Sequence, residues 1–434
     1  MNASRKSTGR PAAWIALACL VVPMFASYFF DDMFSSISYL FEDPSLTQLG
    51  WNSAQYGLYT SGYSVLCVFG GLVVCGILLD KWGVRVTGSL FVGMMAAGAG
   101  LVLWALLAGA SVTVAYVGCM LFGLGSEIAG TAVTRSIARW FKGGPMALAM
   151  GLQLAVARLG TALALVLSPK LVAQQAGHVY TLSETARPAV FGMGLMAAGL
   201  ILWAVFVALD ARRFPSGKSE GGEEPFRLSD VLKVLGNKNF WLLGLLCVLF
   251  YSSIIAFKKF AGAILVPRFD IPASTAGWMV SMLPFSTVVF APLFGILVDR
   301  RGKGTRWMVL GAALALAAHL LLAFAPQGVP FWGYLSMVFL GFGYSLVPAA
   351  LWPSVPKIVP DKVLGTTFAL IYWVQNLGLL TFKMLSGELV TGEGGPFRVE
   401  LMFVALCVAA VVVALLFART SDRTPELGLD RPNA

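Results

Sequence analysis

The residues best able to do chemistry in this sequence are charges set inside long apolar runs. Glu127 stands near the middle of the run 112–139, with Gly123 four residues before it and Thr131 four after, a small-residue face suited to a cavity wall. Arg158 stands 13 residues into the run 145–172, at about the same depth, with Ala155 and Thr161 beside it. Opposite charges at matched depth on neighbouring helices make either a structural ion pair or the two poles of a substrate site, one for an ammonium and one for a carboxylate. Both hold if the pair opens when substrate enters. An ionisable group at the bilayer centre costs ~3 kcal/mol or more unless it faces partners or water, so such charges mark pathways and favour the substrate site.

Other charges are less central. The run 12–40 carries Tyr28, Asp32, Ser35 and Tyr39 on one stripe with Asp31 alongside, in the outer third, where a solvated vestibule rim competes with ligand or proton contact. The run 237–265 holds Lys258 and Lys259, with Tyr251 seven residues before Lys258. Neighbouring residues diverge by ~100° on a helix, so at most one lysine is expected to point into a cavity and the other to snorkel outward. The run 361–388 places Asn376 and Lys383 seven apart, with Gln375 alongside; Lys383, near the outer end, is also placed to snorkel. Tyr56, Tyr59, Tyr63, Tyr344, Trp352, Tyr372 and Trp373 are candidates to floor a cavity, although one such ring is more often packing or an interfacial anchor.

No catalytic set emerges. His178 in a loop and His319 alone in an apolar run cannot hold a metal, and His319 reads as a lipid- or core-facing residue without a role. Cys19, Cys67, Cys75, Cys119, Cys247 and Cys407 all fall in apolar runs without ligand spacing and read as small core residues. No cofactor is expected.

The elements that position these side chains follow from composition. Of 434 residues 58% are hydrophobic and 12% charged, and the mean hydropathy is +0.80. A soluble domain carries about a quarter charged residues, so disorder, nucleic-acid binding and a cytosolic enzyme are excluded. Twelve apolar runs, each near the ~20 residues a crossing helix needs, lie at about 12–40, 53–79, 86–108, 112–139, 145–172, 187–211, 237–265, 274–298, 305–325, 330–356, 361–388 and 397–418. The first follows Arg5, Lys6 and Arg10 but is too long for a signal-peptide core. The fold class is thus an all-α membrane protein of twelve transmembrane helices. A polar stretch at 212–236 divides it into a six-helix bundle at 1–211 and another at 237–434. Of the 31 Lys and Arg, 23 lie in the two tails and in the loops after even-numbered runs. By the positive-inside rule both termini and the linker are expected to be cytoplasmic.

The halves repeat. GILLDKWGVR at 76–85 returns as GILVDRRGKG at 295–304, GLGSE at 123–127 as GFGYS at 341–345, and RLG at 158–160 as NLG at 376–378, at offsets of 218 or 219. Parallel repeats imply a pseudo-two-fold axis along the membrane normal and a working site between the halves. Together with the G-x-x-x-D-[KR]-x-G loop, this pattern resembles the major facilitator superfamily. The resemblance implies a switching role for the loop: Asp80, Lys81 and Arg85, with Asp299 and Arg300 in the repeat, would latch against helix ends of the other half. Simple topology-setting explains Arg300, Arg301 and Lys303 equally well.

One branch is closer. WFKGGPMALAMGLQLAVARLG at 140–160, GYSLVPAALWPSVPKIVPDKVLGTTFALIYWVQNLGLL at 343–380 and FGG…LLDKWGVR at 69–85 resemble the lysosomal dipeptide transporter family. In that family a glutamate and an arginine 31 residues later contact the peptide, and Glu127 and Arg158 are 31 apart. The resemblance implies dipeptide substrates and a facilitated, uncoupled mode. Glu127 would hold the amino group and Arg158 the carboxylate, with Lys258 or Lys383 adding positive potential. Asp32, Tyr28, Tyr251, Asn376, Tyr344 and Trp352 complete the expected substrate-binding set. The Lys258–Lys259 pair departs from the pattern and would favour a more anionic ligand.

Rivals lack their marks. Proton-coupled peptide symporters carry E-x-x-E-R on the first span, where this chain has FFDDMFS, and nitrate porters place an arginine on spans two and eight, where this chain has none. An organic-anion carrier, or a symporter with a proton on Glu127 or Asp32, stays open. The expected partners are a dipeptide or organic anion, protons in the symport case, and the lipid bilayer, with no nucleic acid and no obligate protein partner. A compact chain with no acidic-dileucine signal in its N-tail and no N-x-S/T sequon in an outer loop is expected to suit a bacterial plasma membrane better than a lysosome.

Overall fold

The computed structural model describes residues 9–142, 145–173, 175, 177–215, 228–360 and 363–432. The apolar runs are helices: α1 Gly9–Asp32, α2 Ser53–Leu66, α3 Leu72–Ala108, α4 Val112–Trp140, α5 Met146–Val172, α6 Leu182–Arg213, α7 Lys238–Lys259, α8 Ala273–Arg301, α9 Gly304–Phe324, α10 Pro330–Ile358, α11 Leu364–Val390 and α12 Gly395–Arg423. A 3₁₀ segment, Ser35–Phe41, extends α1, and Ala261–Phe269 continues α7 past a bend at Phe260. Of the expected linker, Arg212 and Arg213 still belong to α6 and Leu228–Leu235 forms a short helix; 216–227 lies outside the described residues.

Among the described residues eleven helices are long and apolar enough to cross a membrane. The helix that falls short is α2, with 14 residues, because the second expected run is not one continuous helix. The second run breaks at a π-turn, Cys67–Gly71, where Gly70 takes φ 93°, and then fuses with the third in α3. Within α3 the chain turns at Gly83, with φ 74°. The repeated loop does the same at Gly302, with φ 62°. Both halves of the motif thus place glycine where a side chain would be strained.

Packing repeats as the sequence does. In the first half α1 lies on α5 and α6, α3 on α4 and α6, and α2 on α4. In the second half α7 lies on α11 and α12, α9 on α10 and α12, and α8 on α10. Every pair is the earlier one shifted by six helices. Between halves α2 meets α11 and α5 meets α8, a reciprocal exchange that a pseudo-two-fold axis requires.

The close backbone contacts between the halves lie at one end, while deeper in the molecule side chains also join them, Arg158 Nη1 to Tyr344 Oη and Trp373 Nε1 to Val68 O. The face carrying the described chain ends is called here the tail face and its opposite the far face. Near the far face small residues bring backbones together. A Cβ on Gly57 would sit 2.9 Å from Gly387 Cα, one on Gly277 2.2 Å from Leu165 O, and one on Gly262 2.6 Å from Ser36 O. Toward the tail face a Cβ on Gly151 or Gly295 would meet nothing within 4 Å. The buried residues of α8 run from Ala273 to Pro284 and then skip to Val298. A cleft therefore opens between the halves toward the tail face.

At the tail face charges brace each half separately. Asp210, at the end of α6, accepts from Arg85 Nε at 2.8 Å, from Trp140 Nε1 at 2.8 Å and from Arg139. Arg85 also donates to Phe214 O. In the second half Asp430 accepts from Thr305 N at 2.9 Å and Ser421 Oγ at 2.9 Å, while Lys357 donates to Gly428 O at 3.0 Å. With the tail face open, Arg85 is bonded inside its own half, to Asp210 and Phe214 O, and not to the other half. Lys81, Asp299 and Arg300 are exposed, and the side chain of Asp80 lies outside the described residues.

Candidate substrate site and far-face gate

Arg158 and Glu127 face the cleft from adjacent helices, each held by a tyrosine. Arg158 Nη1 donates to Tyr344 Oη at 2.8 Å, and its guanidinium lies 5.2 Å from the Tyr344 ring centre and 5.6 Å from that of Tyr28. Trp352 Nε1 donates to Tyr251 Oη at 3.2 Å, and Tyr372 stacks on Trp352 with ring centres 5.2 Å apart. This aromatic wall offers π faces to a cation and hydroxyls to a carboxylate. Glu127 Oε1 accepts from Tyr63 Oη at 3.1 Å, and Tyr63 also reaches Ser126, which bonds Ser27 at 2.6 Å. No bridge of 4.0 Å or less joins Glu127 to Arg158 among the described residues. The two charges are held apart, poised as separate poles.

Above them the halves are locked by charge. Asp32 accepts from Lys258 Nζ at 2.6 Å and from Lys259 Nζ at 2.9 Å, one lysine on each oxygen, and from Thr161 Oγ1 at 2.8 Å. Lys259 also bridges Asp31 Oδ2 at 2.7 Å and bonds Asp31 O. Tyr56 Oη donates to Lys259 O at 3.0 Å, and Ala263 N to Ser38 Oγ at 3.0 Å. All of these bonds except the one from Thr161 to Asp32 run between the halves. Breaking the set is the condition for opening the far face.

Residues 24–382 and 260–433 match the model of the Major Facilitator Superfamily. The chain belongs to that superfamily. It is also similar to a lysosomal dipeptide transporter, MFSD1, of Danio rerio, with 31% identity over 412 residues covering 91% of this chain and 84% of that protein. The Homo sapiens protein of the same name is 28% identical over 386 residues, covering 86% and 79%. Among solved structures, a bacterial homologue of the human lysosomal transporter Spinster, inward-facing and unoccupied, shares the fold with a TM-score of 0.73 at 15% identity, covering 94% of this chain and 98% of that one. The chain is thus a multi-pass membrane transporter, and the resemblance read from 140–160 and 343–380 holds.

Within this transporter the expected residues fall into two groups. Glu127, Arg158, Tyr28, Tyr251, Tyr344 and Trp352 come together around the cleft. Asp32 does not join them. It is 1% exposed, with both oxygens engaged in the far-face lock, rather than on a solvated rim. Lys258 lines a small hollow with Arg158, Thr161 and Tyr344, but its amine is committed to Asp32. The expectation that one lysine snorkels is wrong. Asp31 and Asp32 diverge on α1 as the lysines do on α7, so two long stems reach two adjacent acids. Lys383 does not snorkel either: it is buried, donating to Thr60 O at 3.3 Å. Asn376 is buried, its Nδ2 on Tyr372 O at 3.1 Å and its Oδ1 without a partner.

Two buried groups escaped sequence reasoning. His319 is not idle: its Nδ1 lies 2.8 Å from Glu400 Oε2, both fully enclosed between α9 and α12 and flanked by Phe257 and Phe403. The available signal was a carboxylate three residues into the last apolar run, at a depth matching a histidine near the end of another. Asp210 carried no signal beyond its place at a helix end.

Proposed function

We propose that this transporter moves dipeptides across the membrane by alternating access, as a uniporter. The observation that carries the reading is the pair Glu127 and Arg158, half-buried beside one cleft, unpaired with each other and each bonded to a tyrosine. A zwitterion of dipeptide length offers an ammonium to Glu127 and a carboxylate to Arg158, with Tyr28 and Tyr344 completing the anionic end. The names of the relatives, lysosomal dipeptide transporters, support the substrate class. An anion carrier is less favoured: Asp31 and Asp32 neutralise Lys258 and Lys259, so the positive surplus the lysine pair promised is not available to a ligand.

The moving bodies are the halves 1–211 and 237–434, joined by 212–236. With both termini cytoplasmic in a bacterial plasma membrane, the cleft faces inward and the Asp–Lys lock closes the outside. Asp80, Lys81, Asp299 and Arg300 would engage when the tail face closes.

Uptake of a labelled dipeptide by the full chain in liposomes tests this. Wild type runs beside Glu127→Gln and Arg158→Ala, with and without an imposed pH gradient. Saturable uptake, reduced at least about 100-fold in each variant and indifferent to the gradient, is expected, because each change leaves one charged end of the substrate unmatched. Accumulation driven by acid outside would make it a symporter. Transport of lactate-like anions with no dipeptide uptake would sink the substrate reading.

A further inference from the structure

Lys383 is the buried cation that the gate and the two poles leave unused. It is 2% exposed, and its contacts are the Thr60 carbonyl at 3.3 Å and the face of the Tyr63 ring, 5.2 Å from the ring centre. No carboxylate lies within 4.0 Å of it among the described residues. Lys258, Lys259, Arg85 and Arg139 each have one. A carbonyl and a ring face only partly replace the hydration that a buried ammonium gives up, which is worth several kcal/mol. Such a group is a standing acceptor for an anion.

Its position says which anion. Tyr63 joins Lys383 to the amine-binding pole: its hydroxyl donates to Glu127 Oε1 at 3.1 Å while its ring carries the Lys383 amine. Lys383 and Glu127 therefore share one phenol, the amine over its ring face and the carboxylate at its hydroxyl. The shell of Arg158, Tyr28 and Tyr344, shares no residue with the shell of Lys383, Thr60 and Tyr63. Two turns before Lys383 on the same stripe, the unpartnered Oδ1 of Asn376 is a buried acceptor for an ammonium or amide N–H. Asp31, Lys258 and Lys259, the other charges nearby, are spent on one another and on Asp32.

We infer that Lys383 is a specificity residue that takes a side-chain carboxylate, so that the preferred substrates are dipeptides whose first residue is Asp or Glu. This rests on the dipeptide reading above. With the ammonium on Glu127 and the terminal carboxylate on Arg158, the group placed to reach past Tyr63 is the side chain next to the ammonium. A basic first residue would meet Lys383 as a like charge.

The test is competition against labelled Ala-Ala uptake by the full chain in liposomes, using Glu-Ala, Ala-Glu and Lys-Ala. Glu-Ala is expected to compete at about tenfold lower concentration than Lys-Ala, the size of one charge-assisted hydrogen bond, and better than Ala-Glu. In Lys383→Met the ratio of Glu-Ala to Ala-Ala transport should fall about tenfold, whatever happens to the absolute rates. Lys383→Arg should keep most of it. Equal competition by Glu-Ala and Lys-Ala in wild type overturns the inference, and that arm needs no variant to fold. A fall of both substrates by one factor in Lys383→Met also overturns it, because that marks a brace on Thr60. Stimulation of Ala-Ala uptake by chloride or acetate, with no advantage for Glu-Ala, assigns Lys383 to a free anion instead. If wild type moves no dipeptide at all, the dipeptide reading falls first.

Discussion

The far face and the tail face use the same chemistry for opposite ends. Both are rich in carboxylates bonded to lysine or arginine, and both rest on glycines. At the far face Asp31 and Asp32 of one half hold Lys258 and Lys259 of the other, and Gly57, Gly277 and Gly387 let the two backbones touch. At the tail face Asp210 holds Arg85 and Arg139, and Asp430 holds Thr305 and Ser421, each inside its own half. In the proposed alternating-access cycle a far-face bond between halves breaks each time that face opens, whereas a bond within a half persists and keeps that half rigid. The number of ion pairs therefore says little about a transporter; which bodies they join says much.

The largest effect tests that distinction directly. Asp32→Ala strips Lys258 and Lys259 of a shared partner and should cost on the order of 3–5 kcal/mol in this conformation, the usual price of a buried charge left unpaired. Expected outcomes are a fall of roughly 10 °C in melting temperature, by tryptophan fluorescence in detergent, and labelling by an impermeant maleimide of a cysteine introduced at the far face, the six native ones being buried. Asp210→Ala should also lower the melting temperature, since it orphans two arginines, but without raising far-face labelling. If both variants expose the far face equally, the division into lock and brace is wrong.

Glycine substitutions sharpen the contrast at smaller cost. Gly277→Val drives a side chain into Leu165 O and should destabilise the far-closed form by about 1–3 kcal/mol, as overpacking does. Gly295→Val enters open space, so the melting temperature should stay within about 1 °C. Its effect should appear in transport, because α5 and α8 must approach there when the tail face closes. A drop of about tenfold in uptake with unchanged stability is the expected signature, equivalent to ~1.4 kcal/mol on the closing step.

Sequence alone carried the broad architecture because hydropathy and repeat are local signals. Twelve runs, their offset near 219 and the matched depth of Glu127 and Arg158 needed no tertiary information. What it missed lay in the pairing of long side chains across space. Two adjacent lysines looked divergent until two adjacent aspartates stood opposite them. His319 looked idle because its partner, Glu400, lies 81 residues away. Arg85 looked free to reach the other half because nothing in the order of residues puts Asp210 beside it. The break at Gly70 was also invisible, since the composition of 67–71 reads as uninterrupted span.

The smallest predicted effect concerns Glu42, just beyond the 3₁₀ segment that closes the far face. Burial raises its carboxyl from an ordinary 4.5 to about 7, and its Oε1 has no partner. A raised acid is bound more tightly to its proton in the closed form than in a solvated one. The penalty on closure is therefore absent below about pH 4.5, grows as pH rises, and levels off above about 7. Acidification across that window should favour the closed far face, by on the order of 1–2 °C in melting temperature given the side chain's partial exposure. Glu42→Gln should flatten this slope while the tail-face variant Asp430→Asn keeps it. An equal slope in Glu42→Gln would move the pH sensitivity elsewhere, and the far face would then differ from the tail face in its partners alone.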